Sequence, residues 1–96
     1  MSFYFHPAAE MEFNDAINYY EKIESGLGFE FSVEVRSAIK RAETIPEAWV
    51  LIDDNVRRSL TARFPFGVLY TPNETGIYIL AVMNLHRKPD YWKYRN

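Results

Sequence analysis

Polar and apolar residues alternate along this chain with two different periods, and the change between them separates helix from sheet. Ser2-Phe3-Tyr4-Phe5-His6 is short, aromatic and stopped by Pro7. That predicts a strand near residues 2–6, since aromatic side chains pack on a pleated surface and proline ends a ladder. From Pro7 the period lengthens: Ala9, Phe13, Ile17 and Tyr20 recur at helical spacing, with Glu10, Glu12, Asp15, Glu21 and Glu24 largely off the stripe. A helix near residues 8–25 follows, with proline in its first turn and early carboxylates at the positive end of its dipole. Ser25-Gly26-Leu27-Gly28 breaks it, and a second stripe at Phe31, Val35, Ala38, Ala42 and Ile45 predicts a helix near 28–45, halted by Pro46.

Beyond Pro46 the period shortens to two. Over 56–64, Val56, Leu60, Ala62 and Phe64 alternate with Arg57, Ser59, Thr61 and Arg63, with Arg58 as the exception on the apolar side. Pro65-Phe66-Gly67 turns the chain, a strand near 67–72 follows, and Pro72-Asn73-Glu74-Thr75-Gly76 offers a hairpin loop. Residues 77–85 are almost wholly apolar, as a central strand covered on both faces would be, although period alone leaves a helix open. The expected fold is α+β in two layers, order βααβββ, with a helical hairpin on one face of a mostly antiparallel four-stranded sheet. Phe13, Ile17, Tyr20, Phe31, Val35, Leu60, Leu69, Leu80 and Val82 are expected between hairpin and sheet, and Trp49 in the core.

Composition narrows the class. A chain of 96 residues builds one core, so a single domain over 1–96 is expected, and 48% hydrophobic content is too much for a disordered segment. The absence of cysteine leaves neither disulfides nor thiolate metal sites, which points to a cytoplasmic protein stabilised by apolar burial. No stretch has the length or apolarity to span a bilayer, and no membrane partner is expected. The net charge of −2 conceals an asymmetry: residues 1–50 hold four Lys/Arg against nine Asp/Glu, whereas residues 51–96 hold seven against four. An anionic partner would therefore meet the second half.

An ordered set of segments then carries a resemblance. Phe5-His6-Pro7-Ala8-Ala9-Glu10, Val56-Arg57-Arg58, Arg63-Phe64-Pro65-Phe66-Gly67-Val68-Leu69-Tyr70, Ile79-Leu80-Ala81-Val82 and His86-Arg87-Lys88-Pro89-Asp90-Tyr91-Trp92 together span nearly the whole chain. The set resembles the RelE/ParE toxin superfamily, closer to its ParE-like than its RelE-like members. The resemblance implies the toxin of a type II toxin–antitoxin, or plasmid stabilisation, system, masked by a cognate antitoxin. ParE-like members inhibit DNA gyrase and are not known as enzymes; RelE-like members cut messenger RNA in the ribosome. RelE-like toxins resemble one another in an arginine at the start of the third sheet strand, where this chain has Gly67 or Val68, and in lysines on the preceding strand, where it has arginines. The expectation is a non-enzymatic gyrase inhibitor, with a ribosome-dependent endonuclease and an inactive relative that only binds a partner as alternatives. A homodimer is left open, and neither a cofactor nor a metal is expected.

Each candidate residue carries two readings. Under the endonuclease alternative, His86 would be general base with Arg63 and Arg87 clamping phosphate, because imidazole exchanges protons near neutrality and guanidinium does not. Otherwise His86 ends a strand and only hydrogen-bonds. Arg57, Arg58, Arg63, Arg87, Lys88, Lys93 and Arg95 are either one basic patch or a solvated face; as a patch they would anchor an acidic antitoxin segment more readily than nucleic acid, given a pI of 5.6. Tyr91, Trp92 and Tyr94 either anchor a partner or close the core. His6 reads as structural. Glu10, Glu21 and Glu34 read as solvated surface, lacking metal-ligand spacing with histidine.

Overall fold

The computed structural model describes residues 2–96. Strand β1 (Ser2–Phe5) leads into α1 (Pro7–Ile23) and α2 (Leu27–Thr44), then β2 (Val50–Asp53), β3 (Val56–Leu60), β4 (Phe66–Asn73) and β5 (Gly76–Asn84). One sheet holds all five strands in the order β1-β5-β4-β3-β2, with β1 parallel to β5 and every other pair antiparallel. The α+β class, the helical hairpin and the mostly antiparallel sheet are those expected. The strand count is not: β2 is a fifth strand.

The helices form where the stripes placed them, and local chemistry fixes their ends. The His6 imidazole accepts a hydrogen bond from the Ala8 N–H at 3.0 Å, satisfying one unpaired donor of the first turn beside Pro7. At the other end the Glu21 carboxylate reaches over the turn to accept from the Gly26 and Gly28 N–H groups at 2.9 and 3.0 Å, so it ties the end of α1 to the positive start of α2. Gly26 takes the left-handed conformation the turn needs, with φ 90°. At Gly28 a Cβ would strike the Ile17 carbonyl oxygen, so only glycine lets the two helices approach this closely.

Both helices lie on one face of the sheet. Between them and β4–β5 is an aromatic-rich core of Phe13, Phe31, Val35, Ala38, Ile39, Phe66, Val68, Tyr70, Ile77, Ile79 and Val82, with Ile17, Tyr20 and Trp49 packed at its edge. Phe31 is its hub, within 4.8–6.2 Å of the rings of Phe13, Tyr20, Phe64 and Phe66. Burial pushes the Tyr70 hydroxyl up to about 12, and it donates to the Pro46 carbonyl, pinning the loop after α2 to the sheet.

Three expectations fail, each for a reason outside the local pattern. Residues 61–64 leave the sheet, because the buried Thr61 hydroxyl turns inward to the carbonyls of Phe64 and Phe66 at 2.7 and 3.2 Å and Pro65 offers no N–H. The phase of β3 is also reversed. Ser59 pairs with Val68 on the helix face and donates to the Ala38 carbonyl at 2.9 Å, while Leu60 is left 46% exposed. A buried serine with a satisfied hydroxyl is cheaper there than the pattern assumed.

Leu69 and Leu80 are buried but on the opposite face, with Ala81, Met83 and Trp92. Between the pairs Leu69↔Ala81 and Tyr70↔Ile79 the register shifts, so Leu80 is the extra residue of a β-bulge, and the face of β5 changes phase at that point. The apolar run 77–85 is thus a strand covered on both sides, by the helical hairpin above and by the tail after Asn84 below.

Candidate partner-binding surface

The basic residues of the second half do not converge on one patch. Arg57 and Arg58 are adjacent on β3 and so project to opposite faces: Arg57 pairs with Tyr70 on the helix face and donates to the Trp49 carbonyl at 2.8 Å, whereas Arg58 pairs with Leu69 on the tail face. Arg63, in the turn after β3, is held by two carboxylates of α2, Glu34 at 2.6 Å and Glu30 at 3.0 Å. Glu34 also accepts from the backbone N–H groups of Ala62 and Arg63, so it organises that turn rather than lying solvated.

Burial pushes the Glu34 carboxyl up, but the hydrogen bonds from Arg63 and Ala62 outweigh it and hold it below its ordinary value. A folded-state value below the unfolded one stabilises the fold above the unfolded pKa, and that contribution disappears as pH falls through the folded value. Glu34→Gln is therefore expected to cost up to about 1 kcal/mol near neutrality, the range for exposed pairs, and nothing well below pH ~4. Urea midpoints of both proteins across that range read this out; a difference that persists in acid would count against the pair.

The tail is fastened by a second acidic residue. Glu12, on α1, accepts both guanidinium nitrogens of Arg95 at 3.0 and 2.9 Å, meets Arg87 at 3.5 Å, and accepts from the Val82 N–H at 3.1 Å, while Arg95 donates to the Leu80 carbonyl at 3.0 Å. Strand β1 pairs with β5 only as far as Ile79, so this ion pair satisfies the edge of β5 where β1 has run out. Tyr91 lies under the guanidiniums of Arg87 and Arg95, 3.8 and 5.0 Å from their carbons. Burial, reinforced by the Glu12 carboxylate, raises the pKa of its hydroxyl far above the ordinary phenol value, and the hydroxyl itself is buried without a well-formed hydrogen bond. Trp92 is 3% exposed, its indole N–H donating to the Pro89 carbonyl at 2.7 Å, so it closes the lower core.

Besides Arg57, which bonds a backbone carbonyl, two basic residues of the expected set have no carboxylate partner among the described residues. Lys88 is exposed beside His86, which follows β5 with its backbone N–H on the Asn84 side chain at 2.9 Å. Arg58 forms no ion pair among the described residues, and its Nε is buried without a hydrogen-bond partner. It lies across Gly67, whose missing side chain makes room for it: a Cβ there would sit 3.1 Å from the Arg58 Cγ. Arg58 lines a cleft of about 280 Å³ beneath the tail, with Ile52, Leu69, Met83, Pro89, Asp90, Trp92 and Lys93. Among the described residues no group of histidines and carboxylates has the arrangement of a metal site, and no helix is long and apolar enough to cross a membrane.

No family model matches the chain, and no curated protein does. Solved structures do match. A chain of the structure described as "Chromosomal ParDE TA system from P. aeruginosa" aligns with a TM-score of 0.76 over 90% of this chain and 97% of that one, at 14% sequence identity. This chain has the fold of that ParDE protein. The α+β class expected from the sequence is the class present. At so low an identity the match speaks for the fold and not for any particular residue.

Of the residues singled out in the sequence, Arg87, Tyr91 and Trp92 come together with the tail, Arg58 lies beneath Trp92, and Arg57 and Arg63 are elsewhere. Glu12 was missed. It sits three residues after Ala9 and four before Ala16, on the border of the buried stripe, which was the one available signal; its partner lies 83 residues away.

Proposed function

We propose that this chain is the toxin of a type II toxin–antitoxin pair, acting by binding DNA gyrase and neutralised by a cognate antitoxin. The observation that carries the toxin reading is the match in fold to the ParDE protein along nearly the full length of both chains. In favour of binding over RNA cleavage is the state of the three groups a nuclease would use. Arg63 is neutralised by Glu30 and Glu34 and Arg87 faces Glu12, so two of the three are committed to different carboxylates and His86 is left without them. A ribonuclease needs a base, an acid and a phosphate clamp focused on one ribose and its phosphate. One observation favours the endonuclease instead: Arg58 over Gly67 restores a guanidinium to that part of the sheet. It could neutralise phosphate, but arginine cannot serve as the base.

Induced expression without antitoxin separates the two. His86→Ala is expected to leave growth arrest within a few-fold of the parent, whereas an endonuclease would lose about 10²–10⁴-fold in rate with its general base. Lys88→Glu is expected to weaken arrest, since Lys88 is exposed and outside the ion pairs that hold the fold, unlike Arg87, whose reversal would also repel Glu12. Supercoiling and messenger-RNA integrity are followed in parallel. Ribosome-dependent cleavage that vanishes with His86 while supercoiling stays normal would replace gyrase by the ribosome and its mRNA.

A further inference from the structure

The cleft under the tail combines features that define a ligand rather than a packing defect. Its apolar lining comes from Ile52, Leu69, Met83 and the Trp92 indole, and among its polar residues is Arg58, half-buried, with its Nε buried and, unlike Arg57, which donates to the Trp49 carbonyl, with no side-chain hydrogen bond or ion pair among the described residues. A guanidinium taken partly out of water without a partner is costly, and the cost is recovered when a planar anion supplies the missing acceptors. Arg58 is also fixed in place, its stem lying over Gly67 between β3 and β4, so little rotamer freedom remains to be lost on binding.

The charge around the cleft sets the number of negative charges it can accept. Lys93 is already paired with Asp53 at 3.9 Å, and Asp90 stands at the rim. Arg58 and Lys93 set against Asp53 and Asp90 leave the surroundings without net charge, so the two carboxylates would repel a run of phosphates, and Arg58 is the one cation of the cleft that no carboxylate contacts among the described residues. At about 280 Å³ the space is at the lower limit of small-molecule sites, too small for a nucleotide cofactor and sufficient for one or two side chains.

We propose that this cleft binds a single carboxylate carried beside an apolar group, as an acidic side chain next to a leucine-like one presents it on a partner protein. Arg58 receives the carboxylate in its fork and Trp92 with Met83 receives the apolar neighbour. That the bearer is a protein rests on the binding function proposed above; the chemistry of the cleft does not. The test is a titration of the full chain by ¹⁵N-edited NMR with 4-methylpentanoate, its uncharged amide, inorganic phosphate and a uridine tetranucleotide as probes.

Saturable shifts of the Arg58 Nε–H and Trp92 Nε1–H resonances with the acid, and not with the amide, are expected. Arg58→Met is expected to weaken binding of the acid at least about tenfold, the loss of one charge-assisted pair. Equal response to acid and amide, shifts confined to other residues, or binding of phosphate or the tetranucleotide at lower concentration than the acid would each overturn the proposal. The comparison of acid with amide on the parent protein stands even if Arg58→Met folds poorly. Failure here removes the cleft, while failure of the growth assay removes the toxin, so the two results remain distinct.

Discussion

Phe31→Ala is expected to cost about 3–5 kcal/mol, the range for a buried phenylalanine, and so to consume a large part of the ~5–15 kcal/mol that holds a small domain together. Phe31 is completely buried at the point where α1, α2 and the start of β4 meet. Four rings surround it, two of them, Phe64 and Phe66, at steep interplanar angles of 86° and 69° that favour edge-to-face attraction. Truncation would remove contacts to both helices and the sheet at once, and the rigid frame of rings leaves little scope for collapse into the cavity. Urea unfolding followed by tryptophan fluorescence measures it directly, as a lower midpoint at unchanged slope. A loss under about 1 kcal/mol, as at exposed positions, would mean that the stripe through Phe31 does not face the sheet.

The other large effect is expected below the sheet. Trp92→Ala should cost about 3–5 kcal/mol if the tail is part of the cooperative fold, because the indole is the buried tail residue of the cluster with Leu69, Leu80, Ala81 and Met83, around which Ile52, Val56, Tyr78 and Tyr91 are only partly buried. Its loss should also free the remainder of the tail, since Tyr91 and Arg95 on either side are positioned by the same turn and complete the seal on the β5 edge through Glu12. Hydrogen exchange would then speed up at Val82 and its neighbours more than in α2. An unchanged unfolding midpoint with faster exchange confined to residues 85–96 would show that the tail is an independent appendage, and the second core would no longer count as part of the fold. Removal of Trp92 would in addition open the Arg58 cleft on one side, so partner binding should fall with it.

Both effects depend on faces, and faces are where the sequence was legible in some segments and silent in others. The two helical stripes were readable because 3.6-residue spacing repeats over four or five turns, enough for the buried side to be unambiguous; Ala9, Phe13, Phe31, Val35, Ala38 and Ala42 all lie in the core. β2 was missed since four residues, Val50-Leu51-Ile52-Asp53, are too few to show a period, and the Asp54-Asn55 turn that pairs it with β3 was the only other signal. In β3 the apolar residues pointed to the wrong side: Ser59 can be buried because its hydroxyl finds the Ala38 carbonyl on α2, a fact of tertiary contact. Of the candidate residues, the sequence placed Arg58, Arg87, Tyr91 and Trp92 on elements that do meet, but it presented Arg63 and Arg95 as available when each is bound to a carboxylate from a helix.

What the sequence determined by itself was the class and the order of elements. Local periodicity, the proline and glycine breaks and the lack of cysteine are properties of neighbouring residues, and neighbours at short range decide helix, strand and turn. The tertiary structure alone decided which charges are spoken for and which face each strand buries. An ion pair such as Glu12–Arg95 joins residues 83 apart, and a single bulge at Leu80 exchanges the two faces of β5, so neither leaves a mark in the spacing of nearby residues. That is why a chain whose second half reads as one basic surface folds with most of that charge neutralised, and with Arg58 left over beside an apolar cleft.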